Sequence, residues 1–322
     1  MYRLTGRNVV VGKRSRAWLV YLLLGLLATG AYFLLPSQSA QNALRLLFAV
    51  SVLAATVTGI LMHRPSRPLP WYLFACGMLM PIFGTVTLGY YEAVLGIKSP
   101  FPTVADAFFL ATYPGPIAAL LLIQRRRLVR DRASTIDPII ITLGIGMLAW
   151  AFLVKPYVEN PSLSLLEQLV SIAYLLMDVL LLAVVVRLLF VPSGRPFAYY
   201  PLSASAVSLL AFDAAYAATT LSGSYETGSP IDSLELLFYV LFGVAALHSS
   251  MVDLSDGTVL RSETRLTRWR LALLATASLL APGVLALQAS RGEPVDVSVI
   301  VGGSAVMFLL VLSRMAGIMR SR

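Results

Sequence analysis

The sequence predicts an all-α polytopic membrane protein: a bundle of about ten transmembrane helices with the N-terminus and C-terminus cytoplasmic. Three observations predict it. Hydrophobic residues make up 58% of the chain and charged residues 13%, against about 25% charged in an average soluble protein. Apolar runs of about eighteen residues or more recur along all 322 positions, and a run of that length spans the ~30 Å hydrocarbon core as a helix. Basic residues collect in every second gap between the runs. Helices and closed barrels are the structures that satisfy all their backbone groups in lipid, and these runs are too long for barrel strands.

The first segment, Ala17–Leu35, follows the basic stretch Arg3, Arg7, Lys13, Arg14 and Arg16. The small residues around Ser37 and Ala40 raise a cleaved leader as an alternative. The apolar stretch is longer than a usual leader core and the next span follows closely, so an uncleaved helix is expected. Asn42–Met62 comes second and carries Arg45. Trp71–Val94 is third, with Glu92 near its outer end and Cys76 read as a small core residue. Val104–Gln124 is fourth and is interrupted by Pro114-Gly-Pro116, where proline frees backbone groups and permits a kink. Ile136–Val154, Leu163–Phe190, Tyr199–Leu221 and Ile231–Ser250 follow, then Arg270–Leu287 and Val295–Ser313. The inside loop from Met251 to Trp269 is polar and mixed in charge. The expected organisation is a basic cytoplasmic N-terminus over residues 1–16, one transmembrane domain over 17–315 and a cytoplasmic stub over 316–322. No loop approaches the ~50 residues a soluble domain needs.

Orientation follows from charge. With the N-terminus inside, the inside segments hold 21 of the 25 basic residues, including Arg64, Arg67, Arg125–Arg127, Arg130, Arg132, Arg187 and Arg195. Arg261, Arg265, Arg268, Arg270, Arg314, Arg320 and Arg322 complete that side, while the outside loops hold only Lys98, Lys155 and Arg291. This is the asymmetry the positive-inside rule describes. It also accounts for the net charge of +9 without a nucleic-acid partner. The expected location is the plasma membrane, with the lipid bilayer as the first partner.

One cysteine cannot form an internal disulfide, and the two histidines, His63 and His248, sit at segment ends without a second ligand at metal spacing. No phosphate-binding loop, nucleophile elbow or zinc-protease motif occurs. Asp178 and Asp213 are the only conceivable intramembrane protease dyad, and neither has a flanking glycine signature. A non-enzyme without a metal or cofactor is expected.

Charges inside a span are costly and tend to face the bundle interior, so they are the candidate functional groups. Asp178 lies near the middle of the sixth segment, Asp213 in the outer half of the seventh and Glu235 about one turn into the eighth; Asp106 and Arg45 lie nearer the outer surface. Each acid has a tyrosine at helical spacing: Tyr174 with Asp178, Tyr216 with Asp213, Tyr239 with Glu235 and Tyr113 with Asp106. A phenol donates to a carboxylate and lowers the cost of keeping it charged. The pattern predicts a polar cavity that opens outward and narrows toward Asp178. The same groups equally suit a purely structural role, Arg45 pairing with an acid and tyrosines bonding across helix interfaces. Trp71, Tyr90, Tyr91, Trp150 and Tyr157 are expected in the interfacial aromatic belt.

The stretch Pro100-Phe-Pro-Thr-Val-Ala-Asp-Ala-Phe-Phe-Leu-Ala-Thr-Tyr-Pro114 resembles the multi-pass membrane sensor module of actinobacterial signalling proteins that lies upstream of GGDEF and EAL domains. The likeness continues through Ala173, Tyr174 and Asp178, then Asp213 and Tyr216. It extends through Leu221, Gly223, Tyr225, Gly228 and Asp232 to Ala245–Met251. It departs at Leu175 and Ser249, where proline is expected, and the output domain is missing after Arg322. The resemblance implies a sensory input module for cyclic-di-GMP-type signalling. A small outside or membrane-dissolved ligand would bind near Arg45, Asp106, Tyr113, Tyr174, Asp178, Asp213, Tyr216, Asp232 and Glu235. The tenth helix would pass the change to a cytoplasmic signalling protein or a second copy of the chain. A ten-helix secondary transporter of the drug/metabolite type and a membrane scaffold are the alternatives.

Overall fold

The computed structural model describes residues 16–97, 101–127, 133–189, 195–256 and 297–320, together with positions 276, 279, 282, 283 and 290. The described residues contain helices and turns and no strand. Helices α1 (Ala17–Tyr32), α2 (Gln38–His63) and α3 (Leu69–Ala93) are followed by a broken pair, α4 (Val104–Ala111) and α5 (Pro114–Arg127). Then come α6 (Ala133–Ala149), a π-helical turn (Trp150–Val154) and α7 (Lys155–Val158). Helices α8 (Leu165–Leu189), α9 (Tyr199–Leu221), α10 (Asp232–Leu247), α11 (Met251–Asp256) and α12 (Val297–Arg320) complete the described chain.

Six helical stretches are long and apolar enough to cross a membrane: Gln38–His63, Leu69–Tyr91, Val104–Arg125, Ile136–Val158, Leu165–Leu188 and Tyr199–Thr220. That makes the chain a multi-pass helical membrane protein. These six match the second to seventh segments read from the sequence. The first and tenth segments correspond to the shorter apolar helices Ala17–Tyr32 and Val301–Ser313. The eighth is α10. The ninth, Arg270–Leu287, falls almost wholly outside the described residues, as do most of the Met251–Trp269 loop, the basic residues before Arg16, and Lys98, Arg130, Arg132, Arg291 and Arg322.

The interruptions have local causes. Pro114 and Pro116 cannot donate backbone hydrogen bonds, so the fourth span breaks into α4 and α5 at Tyr113. Pro156, at the start of α7 near the end of the next span, lacks the same donor, and the ladder widens into the π-turn just before it.

Helix α10 is the centre of the bundle, packed against α1, α2 and α9. Leu236 and the stretch from Phe238 to Leu247 are buried on all faces apart from Leu241, the pattern of an interior helix. Its approach to α2 is set by Gly59, where a β-carbon would meet the Ala246 carbonyl oxygen. Buried side chains form two cores. The main one joins α1, α2, α3, α5, α8, α9 and α10; the second joins α6, α8 and α12 through Ile140, Met147, Val186 and Met307. Helix α8 belongs to both.

Two expectations need correcting. Cys76 is exposed on α3 rather than in the core, because Phe74 and Met78, two residues to either side, hold the inward face. Trp71 is fully buried rather than in an aromatic belt, with its ring 5.6 Å from that of Phe74. Tyr90 and Trp150 do face outward.

Candidate functional site

Chain reversal places the ends of α1, α3 and α9 beside the starts of α2, α4, α8 and α10. At this end an acid–tyrosine band crosses the bundle. The opposite end carries Arg16, Arg64, Arg67, Arg125, Arg187 and Arg195. It is tied by Asp256, which accepts from the Ser66 hydroxyl at 2.5 Å and from the Ser66 and Arg67 amides at 2.9 and 3.0 Å. His63 bonds the Leu247 carbonyl at 2.9 Å, and His248 stacks near Trp18 and Phe197.

One part of the band is built around Asp232, the first residue of α10, which is 0% exposed. Arg45 Nη2 lies 2.5 Å from Asp232 Oδ2. Tyr32 donates to Oδ2 at 2.7 Å, Tyr225 donates to Oδ1 at 3.0 Å, and the Gly228 amide donates to Oδ2 at 2.7 Å. Both phenol oxygens in turn accept from Arg45, at 3.0 and 3.2 Å. Gly228 reaches this position with φ +93°, backbone geometry that strains any residue with a β-carbon. Charge and hydrogen bonds are matched here, the arrangement a buried ion pair needs to hold a structure together. The structural alternative therefore describes Arg45 and Asp232 well. Glu235 adds a weaker contact, 3.6 Å from Arg45 Nε and 3.5 Å from the Tyr239 hydroxyl.

The second part lies at the α4–α5 break. Tyr113 places its single hydroxyl 2.8 Å from Asp178 Oδ1 and 3.1 Å from Asp213 Oδ2. The two carboxyl groups are also within hydrogen-bonding reach of each other. A phenol has one proton to give, so it serves one of the two acids at a time. Below Tyr113 is a cavity of about 30 Å³, lined mainly by apolar side chains such as Phe74, Leu181, Leu202 and Phe242. It has room for about one or two waters, far below the ~300 Å³ of a typical organic-ligand pocket. Among the described residues the acids and phenols of the band bond one another, and this small apolar cavity is not the outward-opening polar cavity expected from the sequence.

The third part is Asp106. It closes a capping box with Thr103 at the start of α4, accepting from the Thr103 amide at 2.6 Å, and its other oxygen accepts from Tyr174 at 3.0 Å. Tyr216 is 41% exposed, and its ring contacts Tyr225 at 4.7 Å.

All nine candidate residues thus fall in one band, but the tyrosines are exchanged between helices. Tyr174 bonds Asp106 instead of Asp178, and Tyr113 bonds Asp178 and Asp213 instead of pairing with Asp106. A helical side chain leans toward the N-terminus of its helix. A phenol four residues before an acid therefore reaches away from it, toward a neighbouring helix. Only Tyr239, placed after Glu235, keeps its expected partner. Tyr32 and Tyr225 were missed as site residues. Tyr225 stands among the landmarks of the sensor-module resemblance, whereas Tyr32 ends an ordinary apolar helix and carries no signal in the sequence. Among the described residues no group of three or more His, Cys, Asp or Glu is arranged to hold a metal ion.

Tyr225 lies in the α9–α10 loop, and its phenol is pushed up to about 12, by burial first and also by Asp232, with Arg45 opposing. An unfolded phenol ionises near 10. The stabilisation from the protonated Tyr225 is therefore complete below pH ~10 and is lost as pH rises toward ~12. The Tyr225→Phe variant is expected to show a shallower loss of stability over that alkaline window, measured as unfolding midpoint against pH in detergent. A slope identical to that of the unsubstituted protein would contradict the assignment.

No protein-family profile, curated protein or solved structure matches the chain.

Proposed function

We propose that this protein is a sensory input module of the plasma membrane, with ten spans and both termini in the cytoplasm. In this reading the acid–tyrosine band faces outside and the arginine-rich end faces inside, in line with the positive-inside rule. The observation that carries the reading is the Tyr113–Asp178–Asp213 group. It puts two partly buried acids on one phenol between helices, where a merely structural role would favour a matched pair like Arg45 and Asp232. The single phenol proton has two acids to which it can be given. A stimulus that favours one arrangement shifts the population of the whole bundle. The resemblance of the Pro100–Pro114 stretch to sensor modules of GGDEF and EAL proteins supplies the output class: a cyclic-di-GMP enzyme on a partner chain or beyond this sequence.

The test is output from a partner or fused diguanylate cyclase in cells carrying Asp178→Asn or Asp213→Asn. Each change is nearly isosteric and is expected to shift cyclic-di-GMP about tenfold, the effect of roughly 1.4 kcal/mol on a two-state equilibrium. Normal expression with unchanged output in both variants would overturn the assignment.

A further inference from the structure

We propose that Asp178 and Asp213 form a proton-operated latch between α8 and α9, and that α8 passes the state of the latch to α12. This deepens the sensory reading above and rests on it for its biological meaning, though its own test does not.

The case begins with proton counting at the site. Two carboxyl groups contact each other and share one phenol. A carboxyl–carboxylate contact is attractive only when a proton lies between the two; two bare carboxylates repel. The groups that face the pair do not change this balance. Tyr113 comes from the α4–α5 break, Tyr174 from α8, and Glu235 and Tyr239 from α10. None of these is a cation. The nearby base, Arg45 of α2, is 2.5 Å from Asp232 and already accounted for. With one proton present, the pair and Tyr113 hold α8 against α9. When the proton leaves, two like charges in a low-dielectric seam push the helices apart.

The second line of argument is mechanical. Helix α8 is shared by the two cores. Leu181, Val185 and Leu188 face the main body, while Leu182 and Val186 pack with α6 and α12. Asp178 lies one turn before Leu182 on the same helix. Any displacement of α8 from α9 therefore carries the α6–α12 layer with it, and α12 extends to Arg320. The small cavity against Tyr113, Leu181, Leu202 and Leu209 opens on this same α5–α8–α9 seam. It leaves the seam less than close-packed.

The test uses the full chain in lipid nanodiscs with Cys76→Ser, and with Val207→Cys on α9 and Leu309→Cys on α12 as spin-label sites. Both positions are exposed, at 48% and 63%. Pulsed electron–electron distance measurement between about pH 5 and about pH 9 is expected to show the α9–α12 distance changing by about 2 Å or more, the scale of a helix shift. Asp178→Asn and Asp213→Asn each replace the shared proton with a permanent amide donor, so both are expected to hold the low-pH distance throughout. A pH-invariant distance in the parent, or variants that follow the parent curve, would overturn the latch. Unchanged cyclase output in the Asn variants would instead overturn the sensory reading and leave the distance result standing.

Discussion

Replacing Arg45 with methionine is expected to lower the stability of the protein by about 3–5 kcal/mol, the cost of leaving a buried charge without its partner. Asp232 is 0% exposed and depends on Arg45 for its counter-charge. The neighbours Tyr32, Tyr225 and Gly228 supply hydrogen bonds but no charge. The second substitution Asp232→Asn removes the stranded charge, keeps one carbonyl acceptor, and turns an amide donor toward a phenol oxygen that Arg45 has vacated. The pair Arg45→Met with Asp232→Asn is therefore expected to recover much of the loss. Unfolding in mild detergent, read by circular dichroism across the four members of the cycle, measures the coupling. A loss below about 1 kcal/mol for Arg45→Met alone would show that the ion pair is not what joins α1, α2 and α10.

The second large effect is expected at Gly59. A β-carbon there meets the Ala246 carbonyl oxygen on α10, and backbone cannot swing aside as a side chain can. Gly59→Val is expected to cost about 3 kcal/mol, the upper part of the usual overpacking range, with Gly59→Ala costing less. The penalty arises because α10 is the central helix: moving it away from α2 also disturbs its packing with α1 and α9. Thermal unfolding of the two variants measures the series. A Gly59→Val protein that unfolds at the parent temperature would show that α2 and α10 separate freely, against the packing described above.

Much of the helix layout was legible in the sequence, because hydropathy and loop charge are local properties. The segment Tyr199–Leu221 coincides with α9, and the segments read for α3 and α8 differ from the helices by a few residues at each end. The Pro114-Gly-Pro116 break appeared where two missing amide donors place it. Cys76 and Trp71 were misread because a helix apolar on nearly every face gives no periodic signal for which side meets protein and which meets lipid. The site was legible only as a set of residues. Their spacing suggested partners along each helix, whereas the phenols of Tyr113 and Tyr174 reach acids on other helices. Tyr32 was invisible because its role depends on two partners, 13 and 200 positions further along the chain.

The sequence by itself determined the solvent of this protein, the extent of most of its helices and the short roster of acids, phenols and one arginine within its spans. These follow from transfer free energies and from charge placement in short loops, and neither depends on which helices are neighbours. The tertiary structure alone decided how that roster divides. Asp232 with Arg45 is a satisfied joint, Asp106 is a helix cap, and Asp178 with Asp213 is a pair of acids on a single phenol. The division follows from helix packing, which brings a cation to one acid and a second acid to another, and such pairings are set by contacts between distant parts of the chain.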